Sequence, residues 1–322
     1  MQTLAPDAVD LRDTIKRLSR PHSLAGVYHL AEVWTVIAAA IYTSAMLVPP
    51  TSGLPGLGVY LAALAVIASR QHALMVLGHE AIHKRWSSHL WVNDWLGRFL
   101  ALFPVFISLA KWRFIHLCHH QHTHTADDPD RAIYARYPLA ASAWWRLLVR
   151  DVCGLNLVST LKYFIDLPCV TADFNRRFLG EARERRYRQV SDMRAFWVFW
   201  SLVLLGGGYW GGTSWLLAFV LYWLIPYCSL TQIFFRVRGA IEHGNVPEPD
   251  NPYRRTRTYF MHPVAAFFLA PKRVHYHLEH HLYPAVPFYH LPRLHRLLRR
   301  EVYPHEQAYY ERFGQGVGKL VG

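Results

Sequence analysis

The sequence is poor in charge. Asp, Glu, Lys and Arg make up 18% of 322 residues, against 52% hydrophobic. Intrinsic disorder is excluded, because that state needs low hydrophobicity. Cysteine is scarce as well. Cys118, Cys153, Cys169 and Cys228 stand apart with no CxxC pair, which excludes a disulfide scaffold and suits a reducing compartment. The start, MQTLAPDAVDLRDTIKRLSRPHSLAG, has no apolar run behind a basic head and does not read as a cleaved signal peptide. No linker-like stretch divides the chain, so residues 1–322 are read as a single domain.

Two residue classes are abundant. Aromatics reach 15%, with 12 Trp and 18 Tyr, as suits a protein with membrane–water interfaces. Histidine reaches 20, close to the 22 Asp and Glu together. Histidine is the commonest side-chain metal ligand, so a metal site is the first suspect.

Four apolar stretches are candidate spans: Tyr28–Val48, Leu57–Gly78, Ala195–Trp210 and Trp215–Phe235. About 20 apolar residues cross a hydrocarbon core of about 30 Å. Glu32 interrupts the first stretch and Arg70 and His72 the second, with Arg70 expected to snorkel to the interface. The connections 49–53 and 206–214 carry no charge, whereas basic runs such as Arg176–Arg188 lie elsewhere. The positive-inside rule then predicts two hairpins pointing away from the cytosol, with both termini cytosolic. Leu96–Ala110 and Val264–Ala270 are too short to cross and are read as interfacial or re-entrant. The predicted fold is all-α and integral to the membrane: four transmembrane helices in two hairpins under a cytosolic, histidine-rich helical cap. The net charge of +13 lies beside the spans, which fits anionic lipid heads better than nucleic acid.

Three histidine clusters stand out: His79 and His83 in HEAIH, His116, His119 and His120 in HLCHH, and His277, His280 and His281 in HLEHH. On a helix, positions i, i+3 and i+4 share one face, so each HxxHH presents three imidazoles together. The predicted topology brings all eight to one membrane side, with His243 of RGAIEHGN as a ninth. One zinc site needs three or four ligands; eight or nine suit two metals. Imidazole suits Zn, Cu, Fe and Ni alike, so the residues leave the element open. HExxH by itself suggests a zinc protease with Glu80 as base, but leaves both HxxHH boxes unexplained. A surface histidine store would not need two hairpins to gather its clusters. His22, His29, His89, His262, His290, His295 and His305 are read as surface or packing residues. His72, His122, His124 and His275 lie near the boxes, where they either pack or position ligands.

GHEAIH, KWRFIHLCHHQHTHTADDPD and VHYHLEHHLYPAVPFYHLPRLH together resemble the membrane fatty-acid desaturase superfamily, closest to its acyl-lipid desaturases. That resemblance implies a di-iron oxidoreductase using O2, with His79, His83, His116, His119, His120, His243, His277, His280 and His281 as ligands. It implies desaturation of a fatty acyl chain. A hydroxylase or ketolase of a carotenoid or other lipid is the alternative, and a membrane zinc hydrolase a more distant one. It also implies a separate electron donor of ferredoxin or cytochrome b5 type, since no His-Pro-Gly-Gly heme motif is present. His124 stands where many acyl desaturases have Asn. Asp127, Asp128 and Asp130 either orient histidines or form a turn. Trp112, Phe114, Trp197, Trp200, Tyr222 and Trp223 are wall candidates for a substrate tunnel, or packing. The Arg176–Arg188 run contacts a donor protein or lipid heads, or is simply solvated.

Overall fold

The computed structural model describes residues 11–167 and 172–322, without the side chains of 172–179. The first ten residues, Cys169, and the side chains of Arg176 and Arg177 therefore lie outside the described residues. The remaining three cysteines are free thiols. In chain order the main helices are α1 (Leu11–Leu18), α2 (Ser23–Tyr42), α3 (Gly53–Ile82), α4 (Leu90–Leu96), α5 (Leu109–His122), α6 (Ala141–Val152), α7 (Leu157–Phe164), α8 (Ala172–Val190), α9 (Met193–Phe219), α10 (Leu230–His243), α11 (Pro263–Leu269), α12 (His277–Leu282), α13 (Leu291–Glu301) and α14 (Phe313–Leu320). A short parallel ladder joins β1 (Thr258–Phe260) to β2 (Tyr310–Arg312).

Among the described residues, three helical stretches are long and apolar enough to cross a bilayer: Ser23–Leu47, Gly53–Ile82 and Met193–His243. The third has two arms. Gly212 takes φ 57° and ψ −147°, a conformation that favours glycine. Beyond it the chain doubles back, so the Trp200 and Phe219 rings lie 5.7 Å apart; a straight helix would hold them about 28 Å apart. The expected loop 206–214 is thus helical nearly throughout, with the reversal concentrated at one residue. The two hairpins pack together through stacked Trp34 and Trp223 rings, 5.5 Å apart.

Two of the polar interruptions of the first two stretches, Glu32 and Arg70, satisfy each other. Arg70 does not snorkel; it is 3% exposed. Its Nη1 lies 3.2 Å from Glu32 Oε1, and its Nη2 donates to the Phe267 carbonyl at 2.8 Å. Lys272 reaches the same Glu32 carboxylate. Pairing removes the cost that would have driven Arg70 to the interface.

The α3 helix has 30 residues, or about 45 Å of length. That exceeds a bilayer core of about 30 Å, which leaves length to spare; His79 lies in its last turn and His83 caps its C-terminus. Leu90–Val105 and Leu109–His122 meet at 93°. This segment leaves the first histidine box and returns to it, since Nε2 of His83 and His116 are 3.0 Å apart. Its tip is held from the spans, where the Trp200 and Trp223 indoles donate to the carbonyls of Phe103 and Pro104 at 3.0 and 2.8 Å. Gly97 allows the close approach to α3: a Cβ there would lie 2.4 Å from that of Ala81.

A further clamp fixes the first box against the second. Arg113 of α5 donates to the Ala81 carbonyl at 2.7 Å and to Asp94 Oδ1 at 2.6 Å. Although partial burial opposes it, the Arg113 guanidinium holds the Asp94 carboxyl below its ordinary range. A carboxyl with a depressed pKa stabilises the fold above its unfolded value and loses that contribution as pH falls. Asp94→Asn is expected to cost about 1–2 kcal/mol at pH 7, because the pair is only partly buried. Melting curves in detergent should show the gap between variant and parent holding from neutral pH down to the ordinary carboxyl value of 3.8 and closing below it.

Candidate metal centre

Helix periodicity does the local work, and the crossing of distant helices does the rest. Two groups of histidines form, each close enough to hold a metal ion. The larger contains His79, His83, His116, His120 and His280. The smaller contains His119, His243 and His281. In the larger group, Nε2 of His116 lies 2.7 Å from that of His79 and 3.0 Å from that of His120. The His120 nitrogen is in turn 3.0 Å from Nε2 of His280. His277 joins the smaller group, its Nε2 being 2.8 Å from that of His243. All nine histidines singled out in the sequence are thus brought together.

The division between groups follows a reciprocal rule. On α5, the i and i+4 members His116 and His120 face the larger group and the i+3 member His119 faces the smaller. On α12 the roles invert: His277 and His281 face the smaller group and His280 the larger. The α3 helix serves only the larger group and α10 only the smaller. Both groups are therefore tied to α5 and α12.

The donor set fits metal binding. Burial, then Arg85 and Arg113, pushes the His83 imidazole down to about 3, so it is neutral at physiological pH, as a ligand must be. Nε2 of His281, in the smaller group, is buried with no hydrogen-bond partner. Leaving such an atom unpaired costs about 1–3 kcal/mol, a cost that coordination would offset.

Carboxylates surround the imidazoles. Asp128 Oδ1 is 2.9 Å from His119 Nδ1, and Asp128 also accepts from the Asp130 and His124 amides at 2.8 and 3.0 Å and from the Tyr134 hydroxyl. The two readings of Asp128 coexist: it shapes the turn and orients a histidine. Burial opposes charge on His119, yet Asp130 and Asp128 outweigh it and raise its pKa. Asp127 is exposed. Asp128→Ala is expected to weaken metal retention in the smaller group by about 10–100-fold, the usual scale for a partner behind a ligand. Chelator competition on purified protein measures this; unchanged retention would reduce Asp128 to a turn residue.

Glu242 and Glu279 were not singled out in the sequence, though each lies beside or within a histidine motif. Glu242 Oε2 lies 3.6 Å from His277 Nε2, with Arg238 paired at 2.8 Å. Glu279 is buried and accepts from His295 Nδ1 at 2.7 Å and the Tyr303 hydroxyl at 2.5 Å. His295 is thus a packing residue in a polar network. His22, His29, His89, His262, His290 and His305 join neither group. Among the ambiguous four, His72 is buried within α3, His122 contacts Arg183 at 3.2 Å, and His124 Nε2 lies 2.7 Å from the Arg255 carbonyl. His275 joins neither group.

A pocket of about 50 Å³ opens against His116, His119, His243 and His277, with Trp112 in its wall. Trp200, Tyr222 and Trp223 instead line an apolar cleft of about 400 Å³ that touches none of the nine histidines. Phe114 packs on Tyr187, and Trp197 is exposed.

A mostly helical scaffold with membrane-length helices and two histidine groups able to hold metal ions fits the class of membrane proteins with a metal site. The family model for fatty acid desaturases matches residues 54–313. The chain belongs to the fatty acid desaturase family; it is an oxidoreductase and an integral membrane protein. It is similar to dihydrorhizobitoxine desaturase of Bradyrhizobium elkanii, at 26% identity over 86% of this chain and 77% of that protein. The sn-1 oleoyl-lipid 12-desaturase of Arthrospira platensis is 23% identical, over 67% of this chain and 61% of its own. The sn-1 acyl-lipid omega-3 desaturase (ferredoxin) of Nostoc sp. is 25% identical, over 68% and 61%. The chain thus spans about three fifths of the length of these two acyl-lipid relatives.

Proposed function

We propose that this protein is an O2-dependent desaturase that introduces a double bond into a lipid acyl chain, using two irons held by the nine histidines. The observation that carries the reading is the pair of histidine groups joined through α5 and α12. Bound iron would supply the oxidising power to remove two hydrogens with O2 and external electrons. The larger group would hold one ion through His79, His83, His116, His120 and His280; the smaller would hold the other through His119, His243, His277 and His281. The chain's own part is placement: Asp128 fixes the His119 ring, Glu279 and its partners fix α12, and Trp112 and Phe235 wall the pocket from water. Electrons come from a separate carrier of ferredoxin or cytochrome b5 type; the Nostoc relative's name supports the former. The site faces the cytosol, as the distribution of basic loops supports.

The test pairs metal analysis with product analysis. Two irons per chain and an acyl product with one more double bond are expected. A single zinc would favour a hydrolase, and an alcohol or ketone product would favour the hydroxylase or ketolase reading.

A further inference from the structure

The α6–α7 hairpin has an outer face that nothing among the described residues covers. Trp145, Val149, Val152, Leu155 and Val158 are each 50–64% exposed. The first three follow i, i+4, i+7 along α6, so they form one stripe. Arg146 and Arg150 are exposed beside it. An apolar stripe bordered by arginines suits a helix lying in the headgroup layer of a membrane, its apolar side down and its cations among anionic lipids.

The hairpin is bolted to a membrane-length helix. Arg236 of α10 pairs with buried Asp151 of α6, Nη2 to Oδ1 at 2.8 Å. Thr160 of α7 donates to Gln232 of α10 at 2.8 Å. Between α7 and α10 lies a pocket of about 210 Å³. Ile133, Tyr163 and Phe235 line both this pocket and the one at the histidines, so the two are adjacent, separated by those side chains alone. From His243 to Gln232, α10 descends about 16 Å toward its apolar stretch. The rim of the outer pocket includes Arg136, which is exposed and donates to the Ala132 carbonyl at 3.0 Å. Among the described residues it joins no ion pair.

We propose that the α6–α7 hairpin lies in the headgroup layer and holds open a lateral entrance between α7 and α10, through which the acyl chain of a bilayer phospholipid reaches the histidine pocket while its phosphate rests on Arg136. The inference rests on the desaturase reading for what happens inside, but not for the placement of the hairpin or the entrance. Charge complementarity selects the occupant: a phosphodiester matches the free guanidinium, and a bilayer lipid needs no carrier to reach an entrance at this depth.

Two measurements on the full-length protein in phosphatidylglycerol–phosphatidylcholine vesicles test this without turnover. A nitroxide on Val149→Cys, with the signal of labelled parent subtracted, should be more accessible to oxygen than to a water-soluble nickel chelate. Water-like nickel access would overturn the membrane placement. A phosphatidylglycerol carrying a diazirine on its acyl chain should crosslink to peptides of α7 and α10. Arg136→Gln should lower the yield about tenfold, the scale of one charge-assisted hydrogen bond, and Arg136→Lys should recover part of it. Crosslinks confined to the apolar cleft between α2 and α9, or a yield indifferent to Arg136→Gln, would overturn the entrance. Crosslinking only by a free diazirine fatty acid, with none from the phospholipid, would overturn it too. The desaturase reading would survive each of these failures; conversely, correct crosslinks with no desaturated product would sink that reading and leave the entrance standing.

Discussion

On the proposed di-iron reading, His116→Ala is expected to empty the larger histidine group and to lower desaturation at least about 10³-fold, because that reaction has no route without the metal's oxidising power. His116 is the geometric hub of that group. Its Nε2 lies 2.7–3.0 Å from the ring nitrogens of His79, His83 and His120. No neighbour can take its place: His119, the nearest in sequence on its own face, belongs to the other group, and its second nitrogen is engaged by Asp128. The variant should retain the metal of the smaller group, so iron per chain should fall by about half while activity disappears. His122→Ala, six residues further along α5 and outside both groups, should keep both metals. Metal analysis on membrane-inserted, monodisperse protein separates these outcomes. Full activity in His116→Ala would end the metal assignment.

Glu279→Ala is expected to cost about 3–5 kcal/mol and to loosen both groups at once. The carboxylate is completely buried and gathers His295, Tyr303 and Thr258 from three separate elements. Removing it strands three buried polar groups, and breaking such a network costs far more than an exposed pair. Glu279 also lies in the middle of α12, whose three histidines serve both groups. The melting temperature in detergent should fall by about 10 °C, with metal content reduced in both groups. Glu279→Gln, which keeps the shape and one acceptor, should fall between parent and Ala variant. A Glu279→Ala protein with normal melting and metal content would show that α12 is held by its apolar contacts alone.

Local pattern accounts for what could be read in advance. The spacing of HLCHH and HLEHH puts three imidazoles on one helical face whatever surrounds them. Charge-free turns between apolar runs mark hairpins without reference to packing. Arg70 shows where this kind of reading stops. Its cost in a span was visible, but its partner Glu32 lies 38 residues away, and only the packing of α2 on α3 brings them together. Trp200 and Tyr222 show the same limit, since an aromatic on a span looks the same whether it lines a metal pocket or a lipid-facing cleft.

The sequence by itself determined which residues could bind metal and that the chain is built of apolar helices, because both follow from the helical period and from the apolar length of each run. Only the tertiary structure decided how nine imidazoles divide into two groups, which carboxylates stand behind them, and where a pocket opens beside them. Those outcomes depend on the angle and depth at which α3, α5, α10 and α12 cross, and crossings are set by side-chain packing between segments far apart in the chain.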